Sequence, residues 1–170
     1  MTTHVMPYLN SVSIDRQTSG LMASGIPLFS IIGRLGSGWL GDRINRKLVM
    51  SVNYAALSIS LLMFAYVSRE AVWLIIPFLI LFSIGYGGNF VMITSLTRHY
   101  FGRRWFGTIN GFMMGIVVVG SISGPLLAGW AFDTLGSYYI IWVAFAALAV
   151  LGLISAATVH PPKLKSPAVP

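Results

Sequence analysis

A chain of 170 residues in which 56% are apolar and only 9% charged, with a mean hydropathy of +0.79, exceeds what a soluble core and surface require, which excludes an ordinary water-soluble domain. The formal charge of +7 falls in short segments between apolar runs rather than on one polar face, so it reads as membrane orientation and not as a nucleic-acid surface. Cysteine is absent, which removes disulfide frameworks and thiolate metal sites.

The first dozen residues, MTTHVMPYLNSV, lack the basic segment and short apolar core of a cleavable signal. They are too short to span a bilayer but suit the outer end of a helix that Pro7 helps terminate. Five apolar runs follow, at 21–41, 48–67, 73–97, 108–132 and 138–159. Each is near the roughly 20 residues that cross a bilayer as a helix, and far longer than a membrane strand of about 10. The expectation is an all-α integral membrane fold: five transmembrane helices plus the end of a sixth over 1–160, then a cytoplasmic tail at 161–170.

Eight bases lie on one side of these spans: Arg43, Arg46, Lys47, Arg98, Arg103, Arg104, Lys163 and Lys165. The other side holds Arg16 and Arg69. The positive-inside rule makes the first side and the C-terminus cytoplasmic, most simply in a cell (plasma or inner) membrane. Five spans then leave the N-terminus outside with nothing to carry it across, so an upstream helix is expected.

Comparison of the chain with itself agrees. SIIGRLGSGWLGD at 30–42 and SISGPLLAGWAFD at 121–133 match at seven of thirteen positions with an offset of 91, pairing Gly38 with Gly129, Trp39 with Trp130 and Asp42 with Asp133. The first copy runs inward and the second outward. An inverted repeat of three helices is the pattern of secondary transporters, and the chain reads as a six-helix half lacking most of its first helix.

Arg34 stands where the other copy has Pro125, on the face of Ser30, Gly38 and Asp42 and about two turns inside the cytoplasmic end. A charge within a span costs roughly 2.5 to 3.5 kcal/mol on insertion scales, which favours a functional role, and a guanidinium suits bidentate capture of a carboxylate. The competing reading is a stem that snorkels toward headgroups or toward Asp42. Asp42 sits at a helix C-terminus, where an acid opposes the dipole. It therefore needs partners such as Arg43, Arg46 or a neighbouring helix N-terminus, and with Gly38 and Lys47 these form a candidate latch.

Tyr86 and Asn89, near the middle of the third span, are candidate substrate-binding residues, with a helix-to-helix hydrogen bond as the alternative. Gly111 with Gly115, and Gly120 with Gly124, have GxxxG spacing and point, like GYGGN at 85–89, to close helix packing; bending near Gly124 and Pro125 is the other reading. Trp73, Trp105, Tyr138 and Tyr139 mark span ends. The acids Asp15, Asp42, Glu70 and Asp133 lie at or outside span ends, and His4, His99 and His160 lack ligand spacing. No catalytic constellation, metal site or cofactor is expected.

GWLGDRINRK at 38–47 resembles the signature loop of the major facilitator superfamily, with Gly38, Asp42, Arg43, Arg46 and Lys47 in place and Asn45 where the family has Gly. HVMPY at 4–8, GRLGSGWLGDR at 33–43, GYGGNF at 85–90, YFGRRWFGTINGF at 100–112 and SGPLLAGWAFDTLGSYY at 123–139 are similar, in order, to helices seven, eight and ten to twelve of its monocarboxylate-transporter-like and oxalate/formate-antiporter-like branch. The resemblance implies the C-terminal half of a transporter. It would move a small organic anion, a monocarboxylate or dicarboxylate, working with an N-terminal half or another copy of the chain in a lipid bilayer. It also implies that Arg34 holds the substrate carboxylate. Proton-coupled members carry an Asp one turn earlier, where this chain has Ser30, so the resemblance does not extend to proton coupling by that pair. The rival reading is a truncated or non-transporting membrane protein that serves as an assembly partner; an enzyme is more distant still.

Overall fold

The computed structural model describes residues 16–67, 71–135 and 139–159. The segment MTTHVMPYLNSV with its HVMPY motif, the tail at 161–170, and Asp15, Arg69, Glu70, Tyr138 and His160 lie outside the described residues. Among the described residues four α-helices occur: α1 (Arg16–Arg43), α2 (Arg46–Ala65), α3 (Ile75–Leu135) and α4 (Tyr139–Thr158), with a 3-10 turn at Val72–Leu74 leading into α3. Three of them, over Arg46–Ala65, Ile75–Thr134 and Tyr139–Thr158, are long and apolar enough to cross a membrane. The 28-residue α1 mixes its apolar residues with glycine, serine and Arg34. It begins at Arg16, five residues before the expected start of the first span.

The expected third and fourth spans form one helical run of 61 residues. Straight, it would measure about 90 Å, three times a bilayer core. Gly102, at φ 70 and ψ −173, breaks it into arms over 75–101 and 103–135. That backbone region is open essentially to glycine alone, so a single residue replaces the loop expected between 97 and 108. Pro125 lies within the second arm, where the backbone stays helical. Across the break the Thr97 hydroxyl donates to Met113 Sδ at 3.4 Å.

α2 packs on both α3 and α4, and α1 packs on α3. Phe64, Phe78 and Trp142 are almost wholly buried where α2, α3 and α4 meet. Phe64 stacks on Phe78 with ring centroids 4.1 Å apart and meets Trp142 edge to face at 4.8 Å, the geometries aromatic quadrupoles favour.

Apolar side chains gain little from burial against one another when the alternative is lipid, so small residues that let backbones approach decide where membrane helices cross. GYGGN supplies such residues. A Cβ on Gly87 would strike the Ser30 carbonyl oxygen of α1, and one on Gly33 would strike the Ile84 backbone of α3. On the α2 side, a Cβ on Gly85 would lie 2.7 Å from the Asn53 carbonyl oxygen. Gly88 lies under a buried polar pair, in which Asn53 Nδ2 of α2 donates to Ser37 Oγ of α1 at 3.1 Å. Gly111, Gly115 and Gly120 differ: a Cβ on any of them would meet nothing within 4 Å, and one on Gly124 would only touch Phe145 Cζ at 4.0 Å. Among the described residues, no helix packs into those GxxxG notches.

Candidate functional site

The crossing of α1 and α3 sets the geometry around Arg34. Because backbones touch at Gly33 with Ile84 and at Ser30 with Gly87, the residue after Gly33 comes beside those that flank Gly87. Arg34 Cζ lies 5.2 Å from the centroid of the Phe90 ring, within cation–π range. Arg34 is exposed, and among the described residues no carboxylate lies within 4.0 Å of it. Asp42 pairs instead with Arg46, Oδ1 to Nη2 at 3.8 Å. The guanidinium has thus not snorkelled to the nearest acid.

Phe90 continues an aromatic stripe at every fourth position of α3, in which successive members are neighbours one turn apart and the stripe drifts about 40° around the helix at each step. Phe78 stacks on Phe82 at 5.3 Å, and Phe82 on Tyr86 at 5.9 Å with rings only 7° from parallel. The stripe starts in the core, where Phe78 is 1% and Phe82 4% exposed, and emerges at Tyr86, 50%, and Phe90, 43%. Tyr86 lies one helical turn from Phe90, the ring that the Arg34 guanidinium meets. Asn89 does not join them. It is buried, about 100° around the helix from Phe90, and neither amide atom has a hydrogen-bond partner among the described residues.

Farther along, the connection between α1 and α2 gathers the basic cluster. Arg46 Nε donates to the Gly41 carbonyl at 3.2 Å, and the Arg43 guanidinium lies 4.1 Å from the Trp39 ring centroid. Asn45 takes an extended conformation, φ −62 and ψ 118, and caps α2 by accepting from the Lys47 backbone N–H at 2.9 Å. The Asn45 side chain thereby satisfies one of the free N–H groups at a helix start. A Cβ on Gly38 would make ordinary contact with Val91 at 3.8 Å, whereas one on Gly41 would press on Met92 Cε at 2.7 Å. Arg98 and His99 of α3 join Asp42, Arg46 and Phe90 in lining a cavity of about 740 Å³. A second, of about 620 Å³, is bordered by Arg43, Lys47 and His99. Phe90 thus touches both the Arg34 site and the cavity that leads to the basic cluster.

The sequence model of the Major Facilitator Superfamily matches residues 1–169. The chain belongs to the Major Facilitator Superfamily. It is 28% identical over 138 residues to monocarboxylate transporter 12-B of Danio rerio, covering 79% of this chain and 29% of that protein. It is 28% identical over 156 residues to the benzoate transport protein of Acinetobacter baylyi, covering 86% and 32%. It is 23% identical over 155 residues to the putative glycerol-3-phosphate transporter 5 of Arabidopsis thaliana, covering 84% and 31%. The chain spans about a third of the length of these curated relatives. The relatives it matches are named as transporters.

Within this Major Facilitator Superfamily chain, sequence reasoning missed Phe90 and the Ser37–Asn53 pair. The fourfold spacing of Phe78, Phe82, Tyr86 and Phe90 was a signal that could have found the first. No signal within α1 alone names Asn53 as the partner of Ser37.

Proposed function

We propose that this chain is the greater part of the C-terminal half of a facilitator-type transporter that carries a small organic anion by alternating access, with Arg34 as the anion ligand. The observation that carries this reading is a permanently charged, exposed guanidinium in the middle part of α1, with no acid of the described residues within 4.0 Å to neutralise it. A substrate anion would complete it. The names of the relatives support the class, since monocarboxylates, benzoate and glycerol 3-phosphate are all small organic anions.

In this reading α1, α2, the two arms of α3, and α4 are five spans, and a further helix precedes α1. The repeat supports the inverted architecture: Ser37 and Ala128, paired by the offset of 91, are both buried, and Trp39 and Trp130 are both exposed. Asp42 with Arg43, Arg46 and Lys47 forms a cytoplasmic latch that parts as this half rocks against an N-terminal half, or against another copy, about a midplane site. Gly111, Gly115, Gly120 and Gly124, open among the described residues, are notches for helices supplied from outside them.

The test is anion uptake by the intact transporter that contains this chain, reconstituted in liposomes, for wild type and Arg34→Ala. Loss of charge-assisted hydrogen bonds worth about 1.5–3 kcal/mol predicts a roughly 10- to 150-fold weaker apparent affinity. Equal uptake by both proteins would overturn the assignment, and absence of any anion uptake by wild type would favour a non-transporting assembly partner.

A further inference from the structure

We infer that the anion taken at this site is an aromatic monocarboxylate, and that Phe90, with Tyr86, sets that preference. The inference rests on the reading of Arg34 as the anion ligand and adds what surrounds that ligand.

The contact between Arg34 and Phe90 engages the charge of the guanidinium with the ring π-system and leaves its N–H donors free. Among the described residues Arg34 donates no hydrogen bond to protein. A carboxylate can therefore take the planar fork while the rest of the molecule extends along the stripe. There it meets rings: Tyr86 is the exposed end of a stack whose buried members, Phe78 and Phe82, are fixed in the core, and Phe90, also exposed, follows one turn later. The rise between Tyr86 and Phe90 is about 6 Å, roughly the length of an aryl ring with its carboxylate. The touching backbones at Gly87 and Ser30 hold the guanidinium and the ring platform in one register.

The same face argues against other small anions. Ser30 is buried, and its hydroxyl is spent on the Pro27 carbonyl at 2.7 Å. The Asn89 amide is buried as well. Of the polar side chains on this face, the Tyr86 phenol alone is left exposed to match the hydroxyl of a hydroxy acid. One cation beside two open rings matches one carboxylate on one ring. An aromatic pair in an offset or edge-on arrangement favours an aryl ligand over an aliphatic one of equal size by about 2- to 13-fold.

Radiolabelled benzoate uptake by the intact transporter in liposomes, with competition by cyclohexanecarboxylate and by lactate, decides the matter. Cyclohexanecarboxylate has the charge and nearly the size of benzoate without its π-system. The expected result is an apparent affinity for benzoate 2- to 13-fold above that for cyclohexanecarboxylate, and weaker competition still by lactate. Phe90→Leu should bring the benzoate to cyclohexanecarboxylate ratio toward one, and Phe90→Tyr should keep it. If Phe90→Leu does not accumulate, the wild-type ratio with Phe90→Tyr suffices. Equal affinities for benzoate and cyclohexanecarboxylate, both lost in Arg34→Ala, would overturn the aromatic preference and leave the anion site standing. Uptake indifferent to Arg34→Ala would overturn both.

Discussion

Replacing Gly87 by alanine adds one methyl group at the tightest crossing in the fold. Its Cβ would press on the Ser30 carbonyl oxygen, with the Ser30 carbonyl carbon at 3.0 Å and Cα at 3.1 Å. All three atoms are backbone, so none can rotate aside. Restoring an ordinary carbon–oxygen separation of about 3.3–3.6 Å requires α1 and α3 to part by roughly 1 Å. Overpacking of this kind costs about 1–3 kcal/mol, while alanine gains about 0.5–1 kcal/mol over glycine in a helix interior. The balance is a loss of up to roughly 2.5 kcal/mol. Gly36 of α1 provides the comparison, because a Cβ there meets nothing within 4 Å and Gly36→Ala should keep the whole helix gain. The two variants should therefore differ by about 1–3 kcal/mol, roughly 5- to 150-fold in the unfolding equilibrium. Reversible titration of the intact transporter with sodium dodecyl sulfate in mixed micelles, followed by helicity, reads this difference. Parting the helices also moves Arg34 away from Phe90, so anion uptake should fall for Gly87→Ala and hold for Gly36→Ala. Equal stability of the two variants would refute the backbone crossing from which the site is built.

Asn53→Leu strands the buried Ser37 hydroxyl and should destabilise the protein by about 0.6 kcal/mol and at most about 1.7, the range for interhelical hydrogen bonds in membranes; a double-mutant cycle with Ser37→Ala should recover that coupling. Gly102→Ala forces a Cβ into a backbone region closed to it and should cost about 1–3 kcal/mol in the same titration; a neutral result would mean the arms of α3 join differently. Asn45→Ala removes the cap of α2 and should cost about 1 kcal/mol, whereas Asn45→Asp should hold stability because a carboxylate caps equally well and favours a helix N-terminus.

Much of this fold was legible because lipid imposes simple rules: apolar runs of spanning length mark helices, and a lone arginine among them stands out. The clusters of glycine at 85–88 announced close packing, and the structure puts three of them under neighbouring backbone or side chains. The pattern could not name partners. The GxxxG pairs after residue 110 have the same composition yet face open space among the described residues, since spacing alone says nothing of what stands opposite. The single-residue break at Gly102 was hidden within FGRRWFG, whose bases look like a loop in any conformation. Phe90 was passed over because a phenylalanine within a span has an unremarkable explanation; only its distance from Arg34 gives it another. In the sequence Asn45 shows only as a departure from the family's Gly, whereas its capping bond depends on where α2 begins.

The connections at the basic end of the molecule are short in a way that bears on motion. Only Ile44 and Asn45 separate α1 from α2, and Gly102 alone joins the two arms of α3. At Gly102 the backbone has no slack: sliding one arm of α3 along the other by a single turn, about 5.4 Å, would exceed what one residue can stretch, about 3.6 Å. The two arms are stapled there. Whatever displacement the helices undergo, the single-residue joint at Gly102 leaves tilting, not gliding, as the motion available between the two arms at that end.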